Sequence, residues 1–351
     1  MGAHDGSAGS TTDVASQAGG AAPPPETSMP APPPRTSMAT EPGFAERVRM
    51  RAVGMYRNAT TARLRQPSFT YKSREAARVR RLMRELGVKD PAFEVDGKDD
   101  LHAWARSFGV RTPRLLAVHE HVREIDWSAL PDRFVLKPTR GASSAGVLLL
   151  TRRGGDWLDL VTGRDLTEQG VVTELESLAA RKEVSAAVLL EELIEDPRFP
   201  GAQPPDYKVS TFFGRIGFIE AKSHGYADGR PVARWRVFGP DWTDLGNGFN
   251  DEQDHTIPPP LHAEELLEVA ARVSAAIPRP YLRVDMLDSA DGPVLGEITP
   301  EPGNDPVARS GLDRPLGELW EDAEARLKVR AARAGFLSPA HEPLPEGLVG
   351  R

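Results

Sequence analysis

Two apolar segments near the end of the chain, residues 282–287 and 294–299, limit the possible folds more than any other feature. A Ser-Ala-Asp-Gly stretch separates them, and its Asp-Gly pair is typical of a tight hairpin turn. Asp285 and Glu297 should then lie on adjacent antiparallel strands, so that their carboxylates converge on one point. Arg283 lies two residues before Asp285 and shares its face of the strand. The pattern therefore predicts a packed hairpin with a charged face.

This charged face has the ligand chemistry of a magnesium site. Mg²⁺ is usually held by one or two carboxylates together with substrate phosphates. We therefore expect Asp285 and Glu297 to hold the ion, and Arg283 to neutralise charge on a phosphoryl group during transfer. The alternative is a surface hairpin with solvated acids, which the apolar neighbours Val284 and Ile298 disfavour.

A second group of residues has the composition of a phosphate-binding loop. Residues 134–147 run from an apolar strand ending at Lys137, through a loop of small residues, into another strand. Backbone N–H groups of such a loop can face a phosphate closely, and Lys137 would add a point charge. The alternative is a structural lysine before an ordinary hairpin. The segment is not a Walker A loop, because no Gly-Lys-Ser or Gly-Lys-Thr occurs at the required spacing.

A third group, residues 188–196, is an apolar strand that runs into acidic residues. If this strand forms a hinge between two subdomains, its backbone groups could pair with the adenine edge and a carboxylate could hold the ribose hydroxyls. The alternative is a structural role, because short acidic strand ends are common. Further on, Asp206 and Lys208 should share one face of a strand and Tyr207 the other. Lys208 is either a second phosphate contact or an exposed strand residue.

Taken in this order, the three groups resemble the ATP-grasp superfamily over residues 110–330. The most specific part is Arg-x-Asp followed by Glu-x-x-x-x-Pro-Gly. The Asp-Tyr-Lys segment at 206–208, the Phe-Phe-Gly segment at 212–214 and the Gly-Glu-Ile-Thr segment at 296–299 are most similar to the branch named for teichuronopeptide biosynthesis, the TupA-like branch. The resemblance implies an α+β fold, in which two α/β subdomains hold a nucleotide between them.

The resemblance also implies the cofactors ATP and Mg²⁺ and a role for individual residues. Arg283 and Lys137 would be catalytic, and Asp285 and Glu297 would bind the metal. Many members have Asn two residues after the metal-binding glutamate, where this chain has Thr299. Thr299 is a candidate metal ligand, but its hydroxyl is a weaker ligand than an amide, so Asn304 or Glu301 is a further candidate. The residues placed at the nucleotide are Lys137, Gly141, Ser143, Ser144, Gly146, Glu191, Glu192, Leu193, Lys208 and, near the ribose, Glu195 or Asp196.

The implied activity is ATP-dependent ligation of a carboxylate to an amine through an acyl phosphate. It would form an amide or peptide bond between small-molecule or peptide substrates, in secondary-metabolite or cell-envelope biosynthesis. Such a reaction needs no protein nucleophile, in agreement with a chain that has no cysteine and no Gly-x-Ser-x-Gly elbow. Candidate substrate residues lie in a basic, aromatic segment and are Lys222, His224, Arg234 and Arg236; the alternative for the first two is a solvated turn.

Composition divides the chain into four parts. Residues 1–43 are rich in Gly, Ala, Ser, Thr and Pro and are predicted to be a disordered tail. Residues 44–109 form a mainly helical N-terminal region with helices expected at 44–64, 74–86 and 99–108. The ATP-grasp domain is expected over 110–335, followed by a C-terminal tail at 336–351.

Two other functions remain open, a kinase that uses the same fold and nucleotide site, and a binding module suggested by charge. The chain has a net charge of −7, yet arginines and lysines concentrate between Arg47 and Arg84. A polyanion could bind there, although solvated helix faces are the simpler explanation and nucleic acid is not the expected partner. The rival functions are an ATP-grasp kinase and a non-catalytic polyanion-binding module. No segment resembles a membrane span or a secretory signal, which predicts a cytoplasmic location, and a homodimer is left open.

Overall fold

The computed structural model describes the chain from residue 66 to residue 335 with short gaps. The described residues are 49, 66–90, 92, 95, 98–141, 145–227, 230–246, 253–302 and 311–335. Residues 1–62 form a separate unit, in which only Arg49 is described. The tails predicted at 1–43 and 336–351 lie outside the described residues, and so does the helix predicted at 44–64 apart from Arg49.

Between residues 66 and 335, five α-helices and eleven β-strands are described. The helices are α1 (Phe69–Glu85), α2 (Lys98–Ser107), α3 (Glu168–Ala180), α4 (Ala263–Ala276) and α5 (Asp313–Arg333). The strands are β1 (Leu115–His119), β2 (Arg133–Pro138), β3 (Leu148–Arg153), β4 (Asp156–Asp159), β5 (Asp165–Leu166), β6 (Val188–Glu191), β7 (Asp206–Phe212), β8 (Arg215–Ala227), β9 (Arg230–Phe238), β10 (Leu282–Ser289) and β11 (Gly292–Thr299). Among the described helices, none combines the length and apolar character that crossing a bilayer requires.

The strands form two antiparallel sheets that follow each other along the chain. The first sheet has the order β1-β6-β2-β3-β4-β5, and the second has the order β11-β10-β7-β8-β9. Helix α3 packs against the first sheet and helix α4 packs against the second. This arrangement confirms the predicted α+β class with two α/β subdomains. The domain boundary at residue 110 stays a prediction.

One face of β2 packs into the hydrophobic core of the first sheet, and the other face lies outside this core. Phe134 packs edge-on against Trp157 at a centroid distance of 5.1 Å, and both side chains are buried with Val171 of α3. Because side chains alternate along a strand, Val135 and Lys137 point away from this core. Sequence analysis did not predict α3, β4 or β5.

The second sheet is built on the same principle. Tyr207 and Val209 of β7 are buried in a core with Leu266 and Ala270 of α4. Leu101 of α2 joins the same core, so this N-terminal helix packs on the second sheet. The other face of β7 therefore carries Asp206 and Lys208, as the alternating pattern predicts.

Helix α1 is anchored to the second sheet and to α5 by one aromatic side chain, Phe69. Phe69 packs edge-on against Phe212, Tyr281 and Trp320 at centroid distances of 5.6 to 6.2 Å. Asp313, at the start of α5, accepts hydrogen bonds from the backbone N and the Oγ1 of Thr70 at 2.8 and 2.7 Å. Helices α1 and α5 are thus fixed to each other at their N-terminal ends.

The contact between α5 and the segment before α1 leaves no space for a side chain at Gly317. A Cβ at this position would lie 2.4 Å from Ser68 N and 2.6 Å from the Pro67 carbonyl carbon. We expect Gly317→Ala to lower the free energy of unfolding by about 1–3 kcal/mol, because the two backbones must move apart. Denaturant unfolding measures the change. Gly155→Ala is the control, since its Cβ would meet no atom within 4 Å, and equal stability of the two variants would contradict the prediction.

Candidate active site

A cleft of about 640 Å³ lies between the two sheets and brings together most of the predicted site residues. Its walls come from β2, β3 and β6 of the first sheet and from β7 to β11 of the second. The predicted residues that line it are Lys137, Gly141, Glu191, Glu192, Leu193, Lys208, Lys222, His224, Arg283, Asp285, Glu297 and Thr299. Residues from five separated stretches of sequence therefore share one cavity.

One part of the cleft wall is apolar. Its side chains come from the cleft-facing sides of β2 and β3, from the residue before β3, from the segment after β6 and from β10, and they are Val135, Val147, Leu149, Leu193, Ile194 and Leu287. Apolar walls with a few polar groups are typical of small-molecule sites.

Lys137 and Glu191 form a buried ion pair on the wall of the first sheet. Val135 of β2 pairs directly with Glu191 of β6, which places the two charged residues diagonally on one face. Lys137 Nζ is 2.5 Å from Glu191 Oε1, and the residues are only 9% and 5% exposed. Burial opposes the charge on Glu191, but the charge of Lys137, with the neighbouring imidazole of His102, holds the pKa of this carboxyl below its usual value.

Asp285 is the centre of a denser network on the opposite wall. Arg283 donates from Nε to Oδ1 at 2.7 Å and from Nη2 to Oδ2 at 2.8 Å, and Lys208 Nζ donates to Oδ2 at 2.7 Å. Lys208 also bonds Asp206 at 2.5 Å, and Arg283 Nη2 bonds Thr299 Oγ1 at 2.9 Å. Burial disfavours the charged form of Asp285, which is 3% exposed, yet Lys208 and Arg283 keep its pKa below the usual value.

The hairpin of β10 and β11 places the two predicted metal-binding carboxylates side by side. Asp285 pairs directly with Glu297, and the next pair joins Met286 to Leu295, so Gly296 is an extra residue in a β-bulge. Among the described contacts, Asp285 Oδ1 accepts one hydrogen bond, and a carboxylate oxygen has two lone pairs. Glu297 is exposed towards the cleft.

These two residues fit a Mg²⁺ ion that takes its remaining ligands from phosphate and water. No group of three or more His, Cys, Asp or Glu side chains that could hold a metal exists among the residues that the structure describes. Thr299 Oγ1 is bonded to Arg283, Glu301 pairs with Arg80 at 2.9 Å, and Asn304 lies outside the described residues.

Lys222 and His224 lie on β8, on the cleft wall of the second sheet. Lys222 pairs across the sheet with Trp235, and its Nζ is 5.3 Å from the centre of the indole ring. Burial, followed by repulsion from Lys208, lowers the pKa of Lys222. Burial, with repulsion from Lys222 and Lys208, lowers the pKa of His224 to about 4. The imidazole is therefore neutral near pH 7, beside a cationic wall.

Comparison with models of protein families assigns the chain to one family. The family model described as TupA-like ATPgrasp matches residues 77–321, which is more than half of the sequence. The chain belongs to the TupA-like ATP-grasp family. The predicted superfamily and branch are confirmed, and the ATP-grasp fold follows from this membership.

Solved structures of ATP-grasp ligases are similar at low sequence identity. D-alanine–D-alanine ligase from Bacillus anthracis with ATP is 15% identical with a TM-score of 0.44, over 73% of this chain and 76% of that one. The ligase PsnB with a minimal precursor is 16% identical with a TM-score of 0.41, over 69% and 65%. D-cycloserine synthetase DcsG is 18% identical with a TM-score of 0.43, over 74% and 81%. Among curated proteins, none matches the sequence.

In this member of the family, two of the predicted substrate residues are not in the cleft. Arg234 and Arg236 alternate with Trp235 along β9 and so lie on the other face of the sheet. Arg236 bonds Asp244 at 3.0 Å and the Ile257 carbonyl oxygen at 2.7 Å. The sequence interpretation treated the basic stretch as one patch because it did not recognise β9 as a strand. The alternative of a solvated turn at Lys222 and His224 is also wrong, because β8 is continuous through both residues.

The other predicted nucleotide residues that the structure describes, Gly146, Glu195 and Asp196, do not line the cleft. Glu195 pairs with Arg133, and buried Asp196 is held by three hydrogen bonds from the Arg198 guanidinium. Gly146 does not line the cleft; a Cβ there would lie 3.0 Å from Leu175 and from Pro138, at a φ of +70°. Ser143 and Ser144 lie outside the described residues.

Sequence analysis did not predict a role for His102. This residue contacts Glu191 of the cleft wall but does not itself line the cleft. The residue lies on α2, and its Nε2 is 3.3 Å from Glu191 Oε2. Its Nδ1 is 2.9 Å from Thr112 Oγ1. A histidine in a short helix carries no spacing signal, so only the packing of α2 against the cleft wall shows the contact.

Proposed function

We propose that this protein is an ADP-forming carboxylate–amine ligase that works through an acyl phosphate and makes an amide or peptide bond in a biosynthetic pathway. The observation that supports it best is the network around Asp285, where Arg283 and Lys208 are held by a buried carboxylate beside Glu297. This is a preorganised set of cationic donors next to a pair of hard ligands. It suits a reaction in which negative charge moves between phosphate oxygens.

The cleft offers a place for each part of ATP. The apolar side chains of β2, β3 and β10 would hold the adenine, and Lys137 and Lys208 would contact the phosphates. Asp285 and Glu297 would hold Mg²⁺, which neutralises phosphate charge when it is bound. A location in the cytoplasm, where ATP is available, is part of the same proposal.

Arg283 is placed to stabilise the phosphoryl group in transfer. Burial disfavours its charge, but Asp285 raises the pKa of the guanidinium, so the side chain stays cationic at any physiological pH. Two bonds to Asp285 and one to Thr299 fix its orientation. A carboxylate oxygen of the substrate would attack the γ-phosphorus and release ADP. The amine would then attack the acyl carbon, lose a proton and release inorganic phosphate.

Lys222, His224 and Trp235 would form the substrate end of the cleft. A lysine beside an aromatic face can hold a carboxylate by a charge-assisted hydrogen bond. A neutral imidazole does not repel an ammonium group and can accept a hydrogen bond from an incoming amine. Small-molecule or peptide carboxylates and amines are thus the proposed substrates.

The test is ADP release by the purified protein with ATP and Mg²⁺ against paired carboxylates and amines. We expect release to require both substrates and to be lost in Glu297→Ala, because the pair of metal ligands is then incomplete. Arg234→Ala is the matched control, since this side chain lies on the other face of the sheet and should leave the rate unchanged. Release without an amine would identify a kinase instead. Failure of the wild type to bind ATP with Mg²⁺ would sink the proposal and favour a binding module.

A further inference from the structure

Helix α1 presents a basic and apolar face on the side opposite its core contacts. Phe69 and Ala76 of α1 pack in a core with Trp320 of α5. Residues three or four positions apart share one side of a helix, so the opposite side of α1 is formed by a different set of residues. We call this set the outward face of α1, and all of its members are exposed: Tyr71, Arg74, Arg78, Arg81, Leu82 and Glu85.

The three arginines of the outward face make no ion pair or hydrogen bond with any residue that the structure describes. On the first sheet, by contrast, the exposed Arg164 pairs with Glu174 at 3.1 Å. Within α1, Glu75 is paired with Lys72 at 2.9 Å. Three arginines and Glu85 give the outward face a net charge of +2, on a chain whose formal net charge is −7. The positive charge of this face is therefore available to a partner.

Bulky apolar side chains are exposed among these arginines. Tyr71 is 63% exposed and Leu82 is 42% exposed, and both belong to the outward face. Val79 at its edge and Val88 just after the helix are also exposed. Four of the nine large apolar side chains exposed in the described part of the chain thus lie between residues 71 and 88. Such a concentration within polar surroundings is typical of an interaction site.

The mixture of charge and apolar surface discriminates between anionic partners. The phosphate backbone of a nucleic acid duplex would bind the arginines but leave Tyr71 and Leu82 without an apolar contact. A stable protein interface needs about 800 Å² on each partner. Helix α1 has 17 residues, so its outward face is only about 25 Å long and about 10 Å wide. An anionic bilayer fits both properties, because its phosphates attract arginine and its headgroup region accepts tyrosine and leucine.

We propose that the outward face of α1 binds the surface of an anionic lipid bilayer and holds the protein there reversibly. The three arginines contact lipid phosphate groups, and Tyr71 and Leu82 enter the boundary between headgroups and acyl chains. Glu85 opposes the binding, because it is repelled by the same lipids. No residue of α1 lines the cleft, so the inference goes beyond the proposed function and does not depend on it.

The test is co-sedimentation of the full chain with vesicles of phosphatidylcholine, alone or with about one third phosphatidylserine. We expect binding to the anionic vesicles, weakened by added salt, and little binding to the neutral ones. The triple variant Arg74→Gln, Arg78→Gln, Arg81→Gln should bind about 100-fold more weakly, since each arginine near a bilayer contributes about fivefold. Glu85→Gln should bind more tightly by about fivefold.

The matched control is the triple variant Arg123→Gln, Arg153→Gln, Arg164→Gln. It removes the same charge from exposed arginines of another part of the chain, each paired with an acid, and should bind like the wild type. Basic residues also precede α1 in the sequence, and all variants retain them. The double variant Tyr71→Ser, Leu82→Ser keeps every charge and should also bind anionic vesicles more weakly.

Three results would overturn the inference. The first is an absence of vesicle binding by the wild type, and binding to duplex DNA or heparin in that case would identify a polyanionic polymer as the partner. The second is equal binding by the wild type and the arginine variant of α1. The third is unchanged binding by the Tyr71 and Leu82 variant, which would leave charge alone as the cause. ADP release without vesicles tests the ligase proposal separately, and the α1 variants should leave it unchanged.

Discussion

An Arg283→Lys variant is expected to bind ATP and to form product about 10²–10³ times more slowly than the wild type. Lysine keeps the positive charge, but it cannot make the paired bonds to Asp285 and the bond to Thr299 that fix the guanidinium. The loss should fall mainly on kcat, because the interaction is needed when charge develops on the transferred phosphoryl group. Steady-state rates of ADP release with varied ATP separate kcat from KM.

The matched control for Arg283→Lys is Arg236→Lys. Arg236 also makes several hydrogen bonds from a strand of the second sheet, but on the face away from the cleft. Its replacement should change stability at most and leave kcat unaltered. A rise in KM with kcat unchanged, or an equal loss of kcat in both variants, would remove Arg283 from the catalytic machinery.

Replacing Lys208 with methionine is expected to lower the free energy of unfolding by about 3–5 kcal/mol near pH 7. Lys208 bridges Asp206 and Asp285, and among the described residues its loss leaves Asp285 paired with Arg283 alone. Lys208 helps to hold the pKa of Asp285 below its usual value, so Asp285 stabilises the wild type until the pH falls well into the acidic range. In the variant this pKa rises, and the difference in stability should narrow as the pH is lowered. Urea unfolding at several pH values measures both effects.

Lys222→Met is the control for the loss of a lysine from the same wall. Lys222 is partly exposed, and its ammonium group lies over the Trp235 ring. Its replacement should cost far less stability than the loss of Lys208. The double variant Lys208→Met with Asp206→Asn should recover part of the lost stability, because the network then keeps one cation, Arg283, for one buried carboxylate, Asp285. A double variant no more stable than Lys208→Met would show that the network is not the cause.

The part of the site that rests on strand periodicity could be predicted from the sequence. Asp285 and Glu297 were expected opposite each other, and the structure pairs them directly despite the bulge at Gly296. Asp206 and Lys208 were expected on one face of β7 and form an ion pair there. Alternation and a turn signal are local properties, so these contacts need no knowledge of the rest of the fold.

Two kinds of feature escaped the sequence analysis for different reasons. The apolar residues Val171, Val172 and Leu175 have the spacing of helix α3 and could have been recognised. The contact of His102 with Glu191 joins residues far apart in the sequence and depends on how α2 packs against a sheet. No local pattern contains that information, and the same holds for the contact of Lys208 with Asp285, which joins two strands far apart in the sequence.

The anchoring of α1 has a consequence for truncation of this protein. The family match begins at residue 77, inside α1 and after Phe69 and Thr70. A shortened chain cut at that limit would lose the ring that packs on Phe212, Tyr281 and Trp320, together with both hydrogen bonds to Asp313. Large buried aromatic side chains contribute several kcal/mol, about 3–5 for a phenylalanine. The folded unit of this chain therefore extends further towards the N terminus than the residues that the family model matches.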